Sequence, residues 1–124
     1  MSGQNYDSGQ EISYRFAAAT LTAAAVVGRL IGPAGKIGRV TSLTSIVTTG
    51  VTVAAAVVDV DTVAGITTPV TLTVPISSAN AGASATKAVV DASTELPADT
   101  VVQVSSDGGP TAGAADLVVT VTWY

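Results

Sequence analysis

Val70-Thr71-Leu72-Thr73-Val74-Pro75-Ile76 decides the fold of this chain. Val70, Leu72, Val74 and Ile76 alternate with Thr71, Thr73 and Pro75, the period of two expected of a strand buried on one face. Pro75 has no amide hydrogen for a ladder, so it belongs at a sheet edge or at the strand's end. The same period returns at the C-terminus. There Leu117, Val119, Val121 and Trp123 take one face, and Val118, Thr120, Thr122 and Tyr124 take the other. Near the N-terminus, Ile12, Tyr14 and Phe16 alternate with Ser13 and Arg15.

The sequence between these runs fits more strands. Lys36–Thr49 is rich in β-branched residues, which favour a pleated surface. Its alternation is broken, because Ile37, Leu43 and Val47 share one parity while Val40 and Ile46 share the other. A β-bulge or burial on both faces explains such a break. Gly50 ends the run, and Val51, Val53, Ala55 and Val57 offer one face of the next strand, closed by Asp59 and Asp61. Lys87–Asp91 and Val101–Ser105 are shorter strands. Gly32-Pro33-Ala34-Gly35, Leu96-Pro97-Ala98-Asp99 and Asp107-Gly108-Gly109-Pro110 are turns, and Ser77–Ser84 is a small-residue loop.

Ala17–Val27 has the alanines of a helix but no helical stripe of large side chains, and Thr20, Thr22, Val26 and Val27 favour strand. The enclosing apolar stretch Phe16–Ile31 is shorter than the roughly 20 residues of a membrane span. It contains Arg29 and follows Asp7 and Glu11, where a signal peptide has a basic segment. It reads as strand and packing material. About eight short strands punctuated by Gly and Pro, with no helix, give an antiparallel β-sandwich or barrel. Met1–Gln10 is polar and without period, an arm that is free or ordered by a partner. Residues 11–124 form one domain.

Composition narrows the function. Among 124 residues there is no Cys and no His, so the usual nucleophile–base pairs and imidazole metal ligands are absent. Five Lys/Arg against nine Asp/Glu give a formal charge of −4. That balance argues against nucleic acid and against an anionic membrane surface as partners. Charged residues are 11% of the chain and apolar residues 48%. So weakly charged a surface gains from burial against copies of itself or a larger partner.

The motifs that suggest chemistry fail on inspection. Gly32–Arg39 has the glycines of a phosphate loop, but Leu30 stands where the first Walker glycine belongs and Ile37 where Ser or Thr would hold magnesium. It reads as a glycine turn with two exposed cations. Asp59 and Asp61 share one side of a strand, but Thr62–Thr68 offers no further carboxylate, and calcium takes six to eight oxygens. They read as charges that keep a strand edge soluble. Asp91, Glu95 and Asp99 would line a helix face, but Pro97 breaks that helix. Ser84-Ala85-Thr86-Lys87 matches Ser-x-x-Lys, yet the partner motifs of that enzyme class are missing. The expectation is a non-enzymatic protein without cofactor or metal.

Aromatics mark the contacts instead. Phe16 and Trp123 anchor the core. Tyr14 anchors either the core or a neighbour, and Tyr6, in the polar arm, grips a neighbour. With Arg15 beside Tyr14 and the turn cations Lys36 and Arg39, these tyrosines are the candidate assembly contacts.

Gly35-Lys36-Ile37-Gly38-Arg39-Val40 followed by a Thr/Val-rich strand pair, Leu96-Pro97-Ala98-Asp99-Thr100-Val101-Val102, and the closing Leu117–Tyr124 behind a polar arm form a pattern. It resembles the small jelly-roll decoration, or cement, proteins of tailed-bacteriophage capsids over residues 10–124, in overall style rather than in any one signature motif. The resemblance implies a β-sandwich of jelly-roll type. It also implies a homo-oligomer, a trimer, on the outer surface of the virion, bridging major-capsid subunits. The alternatives are a receptor- or carbohydrate-binding β-sandwich of a fibre or tail, or another minor virion structural protein.

Overall fold

The computed structural model describes residues 9–62, 70–76, 82, 84–88 and 95–124, with the side chains of Lys87 and Ala88 left aside. Tyr6, Asp91 and most of the arm and of the Ser77–Ser84 loop lie outside the described residues. Among those described there are nine strands: β1 (Gln10–Thr20), β2 (Ala24–Leu30), β3 (Gly38–Thr52), β4 (Ala56–Thr62), β5 (Val70–Val74), β6 (Ser84–Ala88), β7 (Glu95–Leu96), β8 (Val102–Asp107) and β9 (Ala112–Trp123). Gln10, assigned by composition to the arm, is the first residue of β1 and pairs with Trp123.

The strands form two antiparallel sheets. One has the order β1-β9-β3-β6, with β7 also on β3; the other has the order β2-β8-β4-β5. Every connection crosses between the sheets except the β4–β5 hairpin and the step from β6 to β7, which flank β3 in succession. With β6 and β7 counted as one interrupted strand, this is the interlocked order of a jelly roll. Pro75 follows the last residue of β5, and β5 is an edge strand, so both positions open to that proline are realised at once.

The core lies between the sheets and is built of Val and Leu. Val40, Leu43, Val47 and Val51 of β3 face Val58 and Val60 of β4, Val70 and Val74 of β5, and Val102 and Val104 of β8, all buried. Leu117, Val119, Val121 and Trp123 of the central strand β9 are buried on the predicted face. Each such side chain contributes about 1.5–3 kcal/mol on burial.

Irregularities in the strands account for the broken parities. The β3–β9 register slips between Val40 and Ser42, so Thr41 is an extra residue, and Val40 and Leu43 both point inward. Ile37 and Ile46 are exposed as a result. The predicted face Val51/Val53/Ala55/Val57 is not formed. β3 runs through Gly50 to Thr52, and the chain turns at Val53–Ala55. Val53 has φ 75° there, a left-handed conformation unusual for a β-branched residue. The parity resets across that corner, and Ala56, Val58 and Val60 face the core instead. Ala17–Val27 is likewise two strands meeting at a corner, the end of β1 and the start of β2.

Candidate assembly surfaces

One end of the sandwich collects several features that the sequence scatters. The β2–β3 connection, the turn before β8, the first residues of β1 and the last of β9 all meet there. Trp123 closes the core at this end. Its indole lies over Gly32 and Gly38, where an added Cβ would fall 2.5 Å from ring atoms, and only glycine permits that approach. Its Nε1–H donates to the Tyr14 hydroxyl at 3.0 Å. Tyr14, open between core and contact from sequence, is partly buried against the core beside Ile12 and Phe16.

Around Trp123 the rim is apolar and exposed. Ile37 and Tyr124 exchange two backbone hydrogen bonds, at 3.1 and 2.8 Å, which extends the β3–β9 ladder beyond Trp123. Ile31 and Val101 sit just beyond the pair Leu30–Val102 of the other sheet. All four are among the exposed large hydrophobics. The intervening turn is closed by Lys36 N–H donating to Pro33 O at 3.2 Å, and is tied to its neighbour by Gly35 N–H donating to the Asp99 carboxylate at 2.9 Å. Lys36 stands exposed on this turn. Arg39 lies 3.6 Å from Glu95 across β3 and β7, a half-exposed pair of small energetic weight. Gly9, the first described residue, lies at this same end, because a Cβ on it would meet Thr122 and Tyr124. Lys36, Arg39 and Gly9 therefore lie at one end of the sandwich, while Arg15 is not part of this group.

Arg15 lies on the outer face of β1, in a different local arrangement. Between Phe16 and Ala19, Ala17 and Ala18 oppose the single residue Asp116 of β9, and Ala18 has φ 49°. Asp116 serves this bulge. One carboxylate oxygen accepts the Ala18 amide at 2.7 Å and the other accepts the Arg15 guanidinium at 2.6 Å. The Ala18 amide, and then the Arg15 hydrogen bond, hold the Asp116 carboxyl below its ordinary range.

The second sheet carries acid on its outer face. Asp59 and Asp61 of β4 lie on the same side, and Asp107 of β8 lies diagonal to Asp59. β4 is flanked by β5 and β8, so these acids do not guard an edge, contrary to the sequence expectation. Burial, reinforced by the charges of Asp61 and Asp107, pushes the Asp59 carboxyl up, and its Oδ1 is buried without a hydrogen-bond partner. Asp107 is held low by the amides of Val57 and then Gly109, which donate to one of its oxygens at 3.0 and 3.1 Å. Among the described residues, no three carboxylates gather as metal ligands. The remaining suspects are placed elsewhere: Glu95 faces Arg39, Asp99 holds the Gly35 turn, and Ser84 opens β6.

Sequence reasoning missed the exposed rim, because Ile31 and Val101 read there as strand and packing material. It also passed over Asp116, although an acid between Ala115 and Leu117 on a buried strand is a visible irregularity. No protein-family model matches this chain, and a search of curated proteins finds no match.

Proposed function

We propose that this chain is a structural virion protein, a decoration protein that seats on the outer surface of a bacteriophage capsid and stabilises the shell by bridging major-capsid subunits. The observation that carries the reading is the end of the jelly roll where Ile31, Ile37, Val101 and Tyr124 stand exposed beside Lys36, with Gly9 at the same end. An apolar rim with a cation beside it suits attachment to a large partner. Ser13, Thr44, Val118 and Thr120 on the outer face of the β1-containing sheet suit close packing among copies. Binding confined to the mature lattice adds to shell stability by mass action, and many copies sum their effects.

The test is co-sedimentation of the purified protein with expanded shells of its own virion assembled without it. Saturable binding is expected, weakened at least tenfold by Ile37→Asp and by removal of the arm. Shells that take up no protein at any concentration overturn the reading. A carbohydrate-binding role is less well supported. Tyr14, Phe16 and Trp123 pack against or within the core, which leaves Tyr124 as the outward ring among the described residues. Sugar platforms rely on exposed aromatic faces.

A further inference from the structure

Among the described residues the two sheets have four edges, and three of them are blunted. β5 is five residues long and is followed by Pro75. β2 slips register between Val26 and Gly28. β6 and β7 divide the flank of β3 into two short pieces. β1 differs. Gln10–Phe16 pairs with β9 residue for residue without a slip, and its opposite edge pairs with no strand among the described residues. A long regular edge presents a row of backbone donors and acceptors to another strand unless something discourages it. Charged side chains are the usual deterrent, and β1 carries two on its outer face, Glu11 and Arg15, on either side of Ser13.

These charges have opposite sign and equal spacing from Ser13, so they do not repel a second copy of the same strand. We propose that the edge of β1 is a homophilic docking strand that takes β1 of a second copy of this chain, antiparallel, about a two-fold axis through Ser13. In that register Glu11 faces the partner's Arg15, Arg15 faces the partner's Glu11, and Ile12 faces the partner's Tyr14 on the core side. Directly opposed unlike charges stabilise a strand pair and like charges oppose it. An axis through Glu11 or Arg15 sets like charges against each other, and an axis through Ile12 or Tyr14 leaves both charges without an opposite. The charges therefore select one register.

Arg15 keeps its bond to Asp116 in this arrangement. Its side chain is 66% exposed, and a guanidinium has five donors, enough for both carboxylates. The interface is isologous, as a two-fold contact must be. It joins the two β1-containing sheets into one continuous sheet, and gives pairs where the resemblance to decoration proteins implies trimers. One strand pair buries less than a standard interface, so the association depends on concentration.

The experiment is light scattering on the full chain in the absence of any shell, at concentrations up to about 1 mM. It is therefore independent of whether the protein binds a capsid. The wild type is expected to rise to the dimer mass. Glu11→Arg alone and Arg15→Glu alone are expected to remain monomers with an unchanged β-sheet circular dichroism spectrum. Mixed in equal amounts, the two variants are expected to recover the dimer mass, because their charges complement each other along the whole strand. A wild type that stays monomeric, an oligomer that survives either variant, or a mixture as monomeric as its components overturns the proposal. Should Arg15→Glu fail to fold for want of its bond to Asp116, Glu11→Arg carries the test alone, and a dimer that persists in it overturns the proposal.

Discussion

The indole Nε1–H of Trp123 donates to the hydroxyl of Tyr14 at 3.0 Å, joining the last residue of β9 to the middle of β1 inside the sandwich. Both rings belong to one sheet, and Tyr14 pairs with Val119, four residues before Trp123 on the same face of β9. The bond gives a buried Trp a partner for its only polar atom and fixes Tyr14 facing inward. Tyr14→Phe keeps the ring and removes the acceptor, which leaves the indole donor unsatisfied. A loss of about 1–3 kcal/mol is expected, read as a lower midpoint in urea with the slope unchanged. Trp123 is the chain's single Trp, so its fluorescence follows the same transition.

The glycines under that ring make a second prediction. A Cβ on Gly38 would lie 2.5 Å from the Trp123 ring and 2.9 Å from Val121, and one on Gly32 would also lie 2.5 Å from the ring. Gly38→Ala is expected to cost about 1–3 kcal/mol through overpacking. Thermal denaturation followed by Trp fluorescence checks it, and a shifted emission maximum in the folded state would report displacement of the indole. An unchanged Tm would show that the ring moves aside without cost.

How much of this was legible in the sequence follows from what a period of two can encode. It marks a strand and its buried face wherever pairing is regular, which is why Leu117–Trp123 and Val70–Val74 read correctly. It does not register a bulge or a corner, because either can reverse the parity downstream, as the bulge at Thr41 and the corner at Val53–Ala55 do. Nor does it show which strands become neighbours. The grouping of Lys36 with Tyr124 and the placing of Asp116 opposite Ala18 depend on sheet order, which arises from contacts distant in sequence. The exposed rim was illegible for the same reason: Ile31 and Val101 resemble core residues until the ends of the strands are known.

Among the described residues, the core contains one polar side chain without a partner. Ser45 lies between Leu43 and Val47 on β3, is fully buried, and its Oγ makes no hydrogen bond. A hydroxyl so placed has lost its water and gained nothing in return. Ser45→Ala removes it with little change in volume and is expected to raise stability by about 1 kcal/mol in chemical denaturation. A loss of stability instead would mean that the hydroxyl is satisfied in solution by an ordered water.

The acidic face gives the protein opposing responses to pH. Asp107 titrates low in the folded state, so its contribution is complete above the ordinary value of 3.8 and is lost as pH falls through its folded value. Asp116 has the same sign. Asp59 has the opposite sign: its carboxyl is raised, so its ionised form is a liability at neutral pH. As pH falls from the raised value toward 3.8, the folded state binds a proton that the unfolded chain does not, and the liability is relieved. Asp59→Asn is therefore expected to raise Tm at neutral pH, with the gain shrinking as pH drops toward 3.8. Asp107→Asn is expected to lower Tm at neutral pH, with the deficit closing only below 3.8. Melting both variants and the wild type across pH 2.5–7 separates the two. If the three curves run parallel, neither carboxylate is linked to folding, and the stability of the acidic sheet face rests on packing alone.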